Sequence, residues 1–548
     1  MKTLALKNAS RLYFTKHTYV ILTLCLTFFT CFLYAMPGPY FQPFMHGVAS
    51  GDPMPDRVII WTRVSPQATG TISVSWQMAS DSLMRSIVKT GQTTTGPSKD
   101  YTVKIDVSGL SSGKSYYYRF LTNTLYSPIG KTKTAPVNNV SVLRFAVVSC
   151  SNYAEGYFTA LGKIAARANL DAVIHLGDYI YEGTERDFDK RSKESLTLMA
   201  AEVGAKKTKS DWLKYYRDRY AISHTDANLN KAHQNLAFIT VWDDHETADN
   251  AYKDGANYHD PLTDGPWTDR KAAAKQAYFE WMPIRGNGPG IYRSLRFGNL
   301  MELLMLDTRL EGRDKQIYEA SSPDLSSPKR TILGLAQKKW LLNKLKMSTV
   351  QWKVVGNQVI FSPFHVSWAK IGPFSSQVAQ LEGNLLDYWQ GYPAERDSVI
   401  KFIARNNINN VVILSASMHC SLAFDVILQP KDLDNNTSDK PLSVAVEFAT
   451  PSITSANFDE KIGETVTKAF EARINQQLPP PFNFNPNPHL KFVDLKEHGY
   501  LILELTSQKA QAKWYFIDDK FSLDAGEKFI DAWYTNSNEN RLNKSSGK

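Results

Sequence analysis

The chain has 548 residues, of which 43% are hydrophobic and 21% charged, and its formal charge is +9. This length points to two or three domains, and four cysteines in so long a chain exclude a disulfide scaffold. The basic excess reads as a solvated surface, with anionic substrates or surfaces as the alternative; no dense Lys/Arg tract marks a nucleic-acid binder.

Residues 1–17 are positive and residues 19–35 apolar, ending on Ala35. That is the pattern of a secretory signal peptide over 1–35, so a periplasmic or secreted protein is expected. Leu33, two residues before Ala35, leaves an uncleaved membrane anchor as the runner-up. Phe29-Thr30 before Cys31 makes a poor lipobox, and the single Arg11 argues against a twin-arginine route. Beyond the signal only Cys150 and Cys420 remain, either as two thiols or as one bridge.

Short runs at 57–63, 71–76, 101–107 and 115–120 read as strands with turn residues between them. They predict an N-terminal β-sandwich, immunoglobulin- or fibronectin-like, over 44–135. From residue 142 the pattern changes. A strand at 142–148, a helix at 158–168 and a strand at 172–176 make a βαβ unit. Further strands are expected at 237–242, 300–306, 352–356 and 410–414, with helices at 269–281, 336–346 and 394–406. Runs at 442–448 and 499–505 are candidates for a second sheet, and the polar tail 536–548 is expected to fray.

Four strand ends carry donor side chains. Ser149-Cys150-Ser151-Asn152 follow the first, and Asp178, Tyr179 and Tyr181 follow the second after Gly177. Asp243-Asp244-His245-Glu246 follow the third; Ser417, His419 and Cys420 follow the fourth. Thiolate, carboxylate, phenolate and imidazole at strand termini point to a dinuclear metal site. Taken singly, each has a plainer reading: a Gly-Asp turn, a helix cap, a core thiol, a core histidine. His175 reads as a core histidine, and Arg285, Arg309 and Arg313 read as surface residues. Asn152, beside Cys150, is a candidate substrate contact.

The order Ser149-Cys150, Gly177-Asp178-Tyr179-Ile180-Tyr181-Glu182, Trp242-Asp243-Asp244-His245-Glu246, Asn357-Gln358 and Leu414-Ser415 with His419 resembles the PhoD-like alkaline phosphatases, a branch of the metallophosphoesterases. Gly47 to Pro53 with Trp61-Thr62-Arg63 is similar to that family's N-terminal domain, and Phe448 to Thr454 to a late catalytic segment. The resemblance implies an α/β fold, a metallophosphoesterase αββα sandwich over 142–520 behind the N-terminal β-sandwich. It also implies Fe(III) beside Ca(II) and hydrolysis of phosphate monoesters and diesters, a metal-activated hydroxide attacking phosphorus. Carried over by position, Cys150, Asp178, Tyr181 and His419 are the iron ligands, and Asp178 bridges to calcium. Asp244 is then a ligand of the second metal, and His245 steadies the phosphate or the leaving oxygen.

One departure stands out. Where the family reads Gly-Asp-x-His, this chain has Ala416-Ser417-Met418-His419. A neutral hydroxyl replaces a carboxylate at a hard-cation site, so calcium binding is expected to be weak or altered unless Asp254, Asp260 or Asp425 compensates. The expected partners are small-molecule or lipid phosphate esters and a membrane surface, with no nucleic-acid-specific binding and a monomeric chain. Two other readings stay open: a phospholipase-D-like phosphodiesterase, and a non-catalytic member binding a phosphorylated or surface ligand.

Overall fold

The computed structural model describes residues 43–65, 69–182, 207–286, 290–370, 375–429 and 442–546. The signal-like segment 1–35 lies outside these residues. The N-terminal strands are β1 (Val48–Gly51), β2 (Arg57–Arg63), β3 (Ile72–Ala79), β4 (Ile87–Thr95), β5 (Thr102–Ser108), β6 (Ser115–Thr122), β7 (Leu125–Tyr126) and β8 (Gly130–Lys133). One sheet runs β4-β3-β6-β7, with β8 on β6, and packs on the layer of β1, β2 and β5. Val58, Ile60, Val103 and Val107 of that layer meet Val74, Met78, Tyr118 and Phe120. Alternation decides which face each residue takes: Val58 and Ile60 enter the sandwich, whereas Trp61 turns to the other side, into the main core.

The expected βαβ unit forms as β9 (Val142–Val148), α1 (Thr159–Ala165) and β10 (Ala172–His175), with β9 and β10 parallel. Then come α2 (Lys209–Ser223), α3 (Ala227–Asn235) and β11 (Ala237–Thr240), which extends the parallel run beside β10. Thr208 and Asp211 start α2 with a reciprocal capping box. β11 pairs in turn with β1, so the inner layer of the sandwich continues directly into the central sheet.

The second half contributes α4 (Trp267–Trp281), β12 (Arg293–Phe297), β13 (Met301–Met305), α5 (Gly334–Met347), β14 (Trp352–Val359), α6 (Pro393–Arg405), β15 (Val411–Ala416), β16 (Ser421–Leu428), β17 (Leu442–Ala449) and β18 (Leu490–Asp494). It closes with β19 (Gly499–Thr506), β20 (Lys509–Ile517), β21 (Glu527–Asn536) and β22 (Asn543–Lys544). A seven-stranded sheet, β12-β13-β14-β15-β17-β16-β18, packs on a ten-stranded one, β22-β21-β20-β19-β9-β10-β11-β1-β2-β5. β13 shows why it is buried on both faces. Met301, Leu303 and Met305 join the core shared with the first sheet, while Leu304 meets Leu341 and Leu345 of α5 and Val399 and Ile403 of α6. Helices cover the outer faces, which gives the helix–sheet–sheet–helix layering expected above.

Two expectations change. The run at 499–505 does not join the second sheet; as β19 it pairs antiparallel with β9 in the first. Nor is the tail frayed over its described residues, because Asn543 and Lys544 pair with Tyr534 and Trp533. A polar sequence looks frayed by composition, but a strand partner supplies its backbone hydrogen bonds.

Candidate metal centre

Three of the four donor loops leave neighbouring parallel strands, β9, β10 and β11, at their carboxyl ends; the fourth leaves β15 in the facing sheet. The turns that follow are tight. Cys150 (φ 58°), Asp178 (φ 55°), Ser417 (φ 65°) and His419 (φ 63°) are all non-glycine residues in the left-handed region. Such positions cost about 1–3 kcal/mol each, and they cluster where a scaffold holds functional groups against strain. Glu246 does part of that holding. Its Oε2 accepts the backbone N–H of Asp178 (3.0 Å) and of Asp243 (2.8 Å), and its Oε1 accepts that of Tyr179 (2.6 Å).

On one side of Asp178, the Cys150 Sγ lies 3.4 Å and the Tyr181 hydroxyl 3.2 Å from Oδ2. The ligand atoms of Cys150, Asp178 and His419 all lie within 4.8 Å of one another. His419 donates Nδ1–H to the carbonyl of Ala456 (2.9 Å), which leaves the Nε2 lone pair for a cation. The segment after β17 laces this side together. Ser455 donates to the Tyr181 oxygen (2.6 Å), Thr450 to the carbonyl of Val147 (2.9 Å) and Thr454 to that of Asn152 (2.7 Å). Burial, and then the neighbouring acids, push the Cys150 thiol, the Asp178 carboxyl and the Tyr181 phenol well above their ordinary values. Protein groups alone therefore cannot hold three anions here. A bound cation would, so the donor set fits a metal ion.

On the other side, ligand atoms of Asp178, Asp244 and His245 lie within 4.8 Å. Burial opposes ionisation of Asp244, but Arg309 and His245 outweigh it and hold the carboxyl down to about 2. Asp244 Oδ2 also accepts the N–H of Asn250 (2.7 Å). Ser417 follows β15 directly. None of the three candidate compensators joins either donor group among the described residues. Asp425 pairs with Lys491 (3.5 Å) and Asp260 caps a short helix through Leu262 N–H (2.9 Å). Asp249 accepts from the Asn250 amide (3.1 Å), and burial and then Asp244 push its carboxyl up to about 7. This half fits a metal ion less completely than the first half does.

Other expectations resolve as follows. Both cysteines are free, and Cys420 turns into a separate core against the carbonyl of Met418 (3.2 Å). His175 is fully buried against the Ser151 hydroxyl (3.1 Å). Asn152 is buried, and its side-chain oxygen caps a short turn at Ala154 N–H (3.1 Å). Arg285 is part-exposed and paired with Asp106. Arg309 and Arg313, however, are not surface residues: both side chains are 0% exposed. Arg309 donates to Asp243 (2.5 Å) and Asp387 (2.8 Å) and lies 3.5 Å from Asp244, and Arg313 shares Asp387. The Arg309 charge survives burial because Asp243, Asp244 and Asp387 surround it. A signal was available, since Asp307-Thr308-Arg309 follow a buried strand just as the other donors do.

The sequence reading also missed Glu182. Its Oε2 lies 2.8 Å from His245 Nδ1, and the imidazole stacks on the Tyr181 ring at 4.2 Å. Burial lowers this imidazole, but Glu182, Asp244 and Asp178 outweigh it and raise it well above its ordinary value, so Nδ1–H donates to Glu182 and Nε2–H is left as a donor. With its side chain 24% exposed, His245 is the group of this cluster open to an incoming molecule. If that orientation matters, Glu182→Gln lowers kcat about 10–100-fold, with KM little changed. Unaltered kcat in steady-state assays would remove Glu182 from the site.

Two packed sheets carry these donors at their strand ends, and the comparisons with known proteins make the chain a PhoD-like phosphoesterase. The chain belongs to the PhoD-like phosphatase family, whose model matches residues 145–514, with the PhoD-like N-terminal domain matching 38–136. It is 35% identical over 499 residues to alkaline phosphatase D of Bacillus subtilis (strain 168), covering 88% of this chain and 78% of that protein. A solved structure titled "Structure of PhoD" superposes with a TM-score of 0.75 at 32% identity, covering 93% of this chain and 94% of that one. The expected fold is therefore observed. No helix among the described residues is long and apolar enough to cross a membrane.

Proposed function

We propose that the chain is an exported, metal-dependent hydrolase of phosphate monoesters, diesters or both. The observation that carries this is the convergence of Cys150, Asp178, Tyr181, Asp244, His245 and His419 from two sheets. Cys150, Asp178, Tyr181 and His419 would hold Fe(III); Asp178 and Asp244 would hold Ca(II). Bound there, the metals supply Lewis-acid charge and an activated water for attack on phosphorus.

The protein's own groups do the rest. His245, oriented by Glu182 and the Tyr181 ring, offers Nε2 to a phosphate or leaving-group oxygen. Arg309 sets a fixed positive charge behind Asp244. Asn152 has only its amide NH2 left for substrate. The substrates are small-molecule or lipid phosphate esters, with a phospholipase-D-like diesterase as the close variant. The 1–35 segment supports export.

Ser417 favours one further reading, a member that binds a phosphorylated or surface ligand without turnover. Assays with p-nitrophenyl phosphate and bis-p-nitrophenyl phosphate under defined metals separate the two. Turnover supports the hydrolase; a folded, metal-loaded protein with no turnover supports the binder. The same serine yields a second expectation. Metal analysis after dialysis against a weak chelator retains iron and loses calcium, and Ser417→Asp tightens calcium roughly tenfold with iron content unchanged. Stoichiometric calcium in the dialysed wild type would remove the deficit assigned to Ser417.

A further inference from the structure

Ser452, His498 and Glu460 stand in the order of a serine–histidine–carboxylate relay. The Ser452 hydroxyl lies 2.9 Å from His498 Nδ1, and His498 Nε2 lies 3.2 Å from Glu460 Oε2. Ser452 is 0% exposed, and its Oγ also lies 2.7 Å from the carbonyl oxygen of Ser455. A hydroxyl shut away from substrate in this manner is a brace and not a nucleophile.

The brace grips the loop 452–456, which joins β17 to the short helix Phe458–Ile462. Lys520 Nζ strengthens it by donating to Glu460 Oε2 (2.8 Å) and to the carbonyl of Thr454 (2.8 Å). Glu460 Oε2 also accepts the N–H of Asn457 (3.1 Å), the cap of that helix. Burial opposes ionisation of Glu460, but His498 and Lys520 outweigh it and hold the carboxyl below its ordinary value.

The gripped loop meets three donors of the candidate metal centre. The Ala456 carbonyl accepts Nδ1–H of His419 (2.9 Å), and Ser455 Oγ lies 2.6 Å from the Tyr181 oxygen. The N–H groups of Thr454 and Ser455 both reach the Cys150 carbonyl at 3.3 Å. Ala456 is fixed at its other end, where its N–H donates to Glu155 Oε2 (2.6 Å). The loop leaves the seven-stranded sheet, whereas His498 precedes β19 and Lys520 follows β20 in the ten-stranded one. His419 reaches the centre from the seven-stranded sheet, and Cys150, Asp178 and Tyr181 from the ten-stranded one. The brace therefore ties the partner of His419 to the sheet that carries the other donors.

We propose that His498, Glu460 and Lys520 are positioning residues of the metal centre, holding the loop 452–456 so that His419 and Tyr181 keep their ligand atoms on one ion. The inference rests on the reading of Cys150, Asp178, Tyr181 and His419 as iron ligands. None of the three belongs to either donor group, so each acts through the loop. Partners that orient a ligand from behind weigh about 10–100-fold in metal affinity.

The test is competition for iron between a chelator and the full chain. It is read by metal analysis and by the visible charge-transfer absorption that a phenolate or thiolate ligand gives Fe(III). Lys520, its side chain 5% exposed, is the first target. Lys520→Met removes both hydrogen bonds at nearly constant volume and is expected to weaken iron binding about 10–100-fold. The absorption of the iron that remains is expected to shift, because Tyr181 and His419 are no longer held in place. Should Lys520→Met fail to fold, His498→Phe, which keeps a ring but loses both nitrogens, is read in the same way. Val74→Ala, in the separate core of the sandwich, controls for stability. It lowers the Tm of the metal-free chain and keeps the wild-type iron affinity and absorption. Unchanged affinity and absorption in Lys520→Met overturn the proposal and leave the iron reading intact. An equal loss of iron in Val74→Ala also overturns it, since general stability then accounts for the effect. A wild-type chain that takes up no iron removes the iron reading and this inference with it.

Discussion

Asp178→Asn is expected to lower turnover at least about a thousandfold and to strip iron from the purified protein. Asp178 is the residue common to both donor groups, so one substitution touches both metal positions. Asparagine keeps the shape of the side chain but removes the charge. The thiol of Cys150 and the phenol of Tyr181, each within 3.4 Å of Oδ2, would then lose the anion that, on the proposed reading, shares a cation with them. The stability of the metal-free protein should move the other way. Burial disfavours the Asp178 charge, and the Asp243, Asp244 and Glu246 carboxylates around it add to that. A neutral amide relieves both, so the metal-free variant should melt no lower than metal-free wild type. The metal-loaded wild type should melt higher than either, because ligands that bind only the folded state stabilise it by mass action. Metal analysis, turnover and two melting curves test all of this together. Full iron retention with kcat within tenfold of wild type would refute the bridging role.

The largest expected effect on folding belongs to Gly177→Ala. Gly177 has φ 107°, outside the left-handed region that asparagine or aspartate tolerates. A Cβ there would lie 2.5 Å from both the Cβ and the backbone nitrogen of Asp243. Neither atom is the end of a flexible side chain, so the loops after β10 and β11 must separate. Strain and overpacking together cost about 3 kcal/mol or more. The same movement pulls Asp178 from Asp244 and weakens metal binding. Urea denaturation of the metal-free chain should show a lower midpoint with an unchanged slope. A midpoint equal to that of wild type would mean that the loops give way without cost.

Much of this was legible in the sequence. The change near residue 142 from short alternating strands to apolar runs separated by helices is a local signal, and β9, α1 and β10 follow it closely. The donor residues were legible for the same reason. Cys150, Asp178, Asp244 and His419 each follow an apolar run that had to end at the edge of a sheet. The tail and the run at 499–505 were less legible, because strand pairing is decided by distant partners. Nothing within residues 499–505 indicates that β9, rather than the second sheet, offers the open edge.

The sequence by itself determined the kinds of donor and their placement at strand ends, since composition and period are local properties of the chain; Ser417 counts as a lost carboxylate only against the resemblance to the PhoD-like family. Only the tertiary structure decided that His419 reaches Cys150 from the opposite sheet, that Glu182 orients His245, and that the N-terminal sandwich shares the central sheet through β1 and β11. It also decided the burial of Arg309. That guanidinium stays charged because Asp243 and Asp387, 66 and 78 residues away, offset its desolvation. Compensation over such separations is a property of packing and cannot be read from the residues beside Arg309.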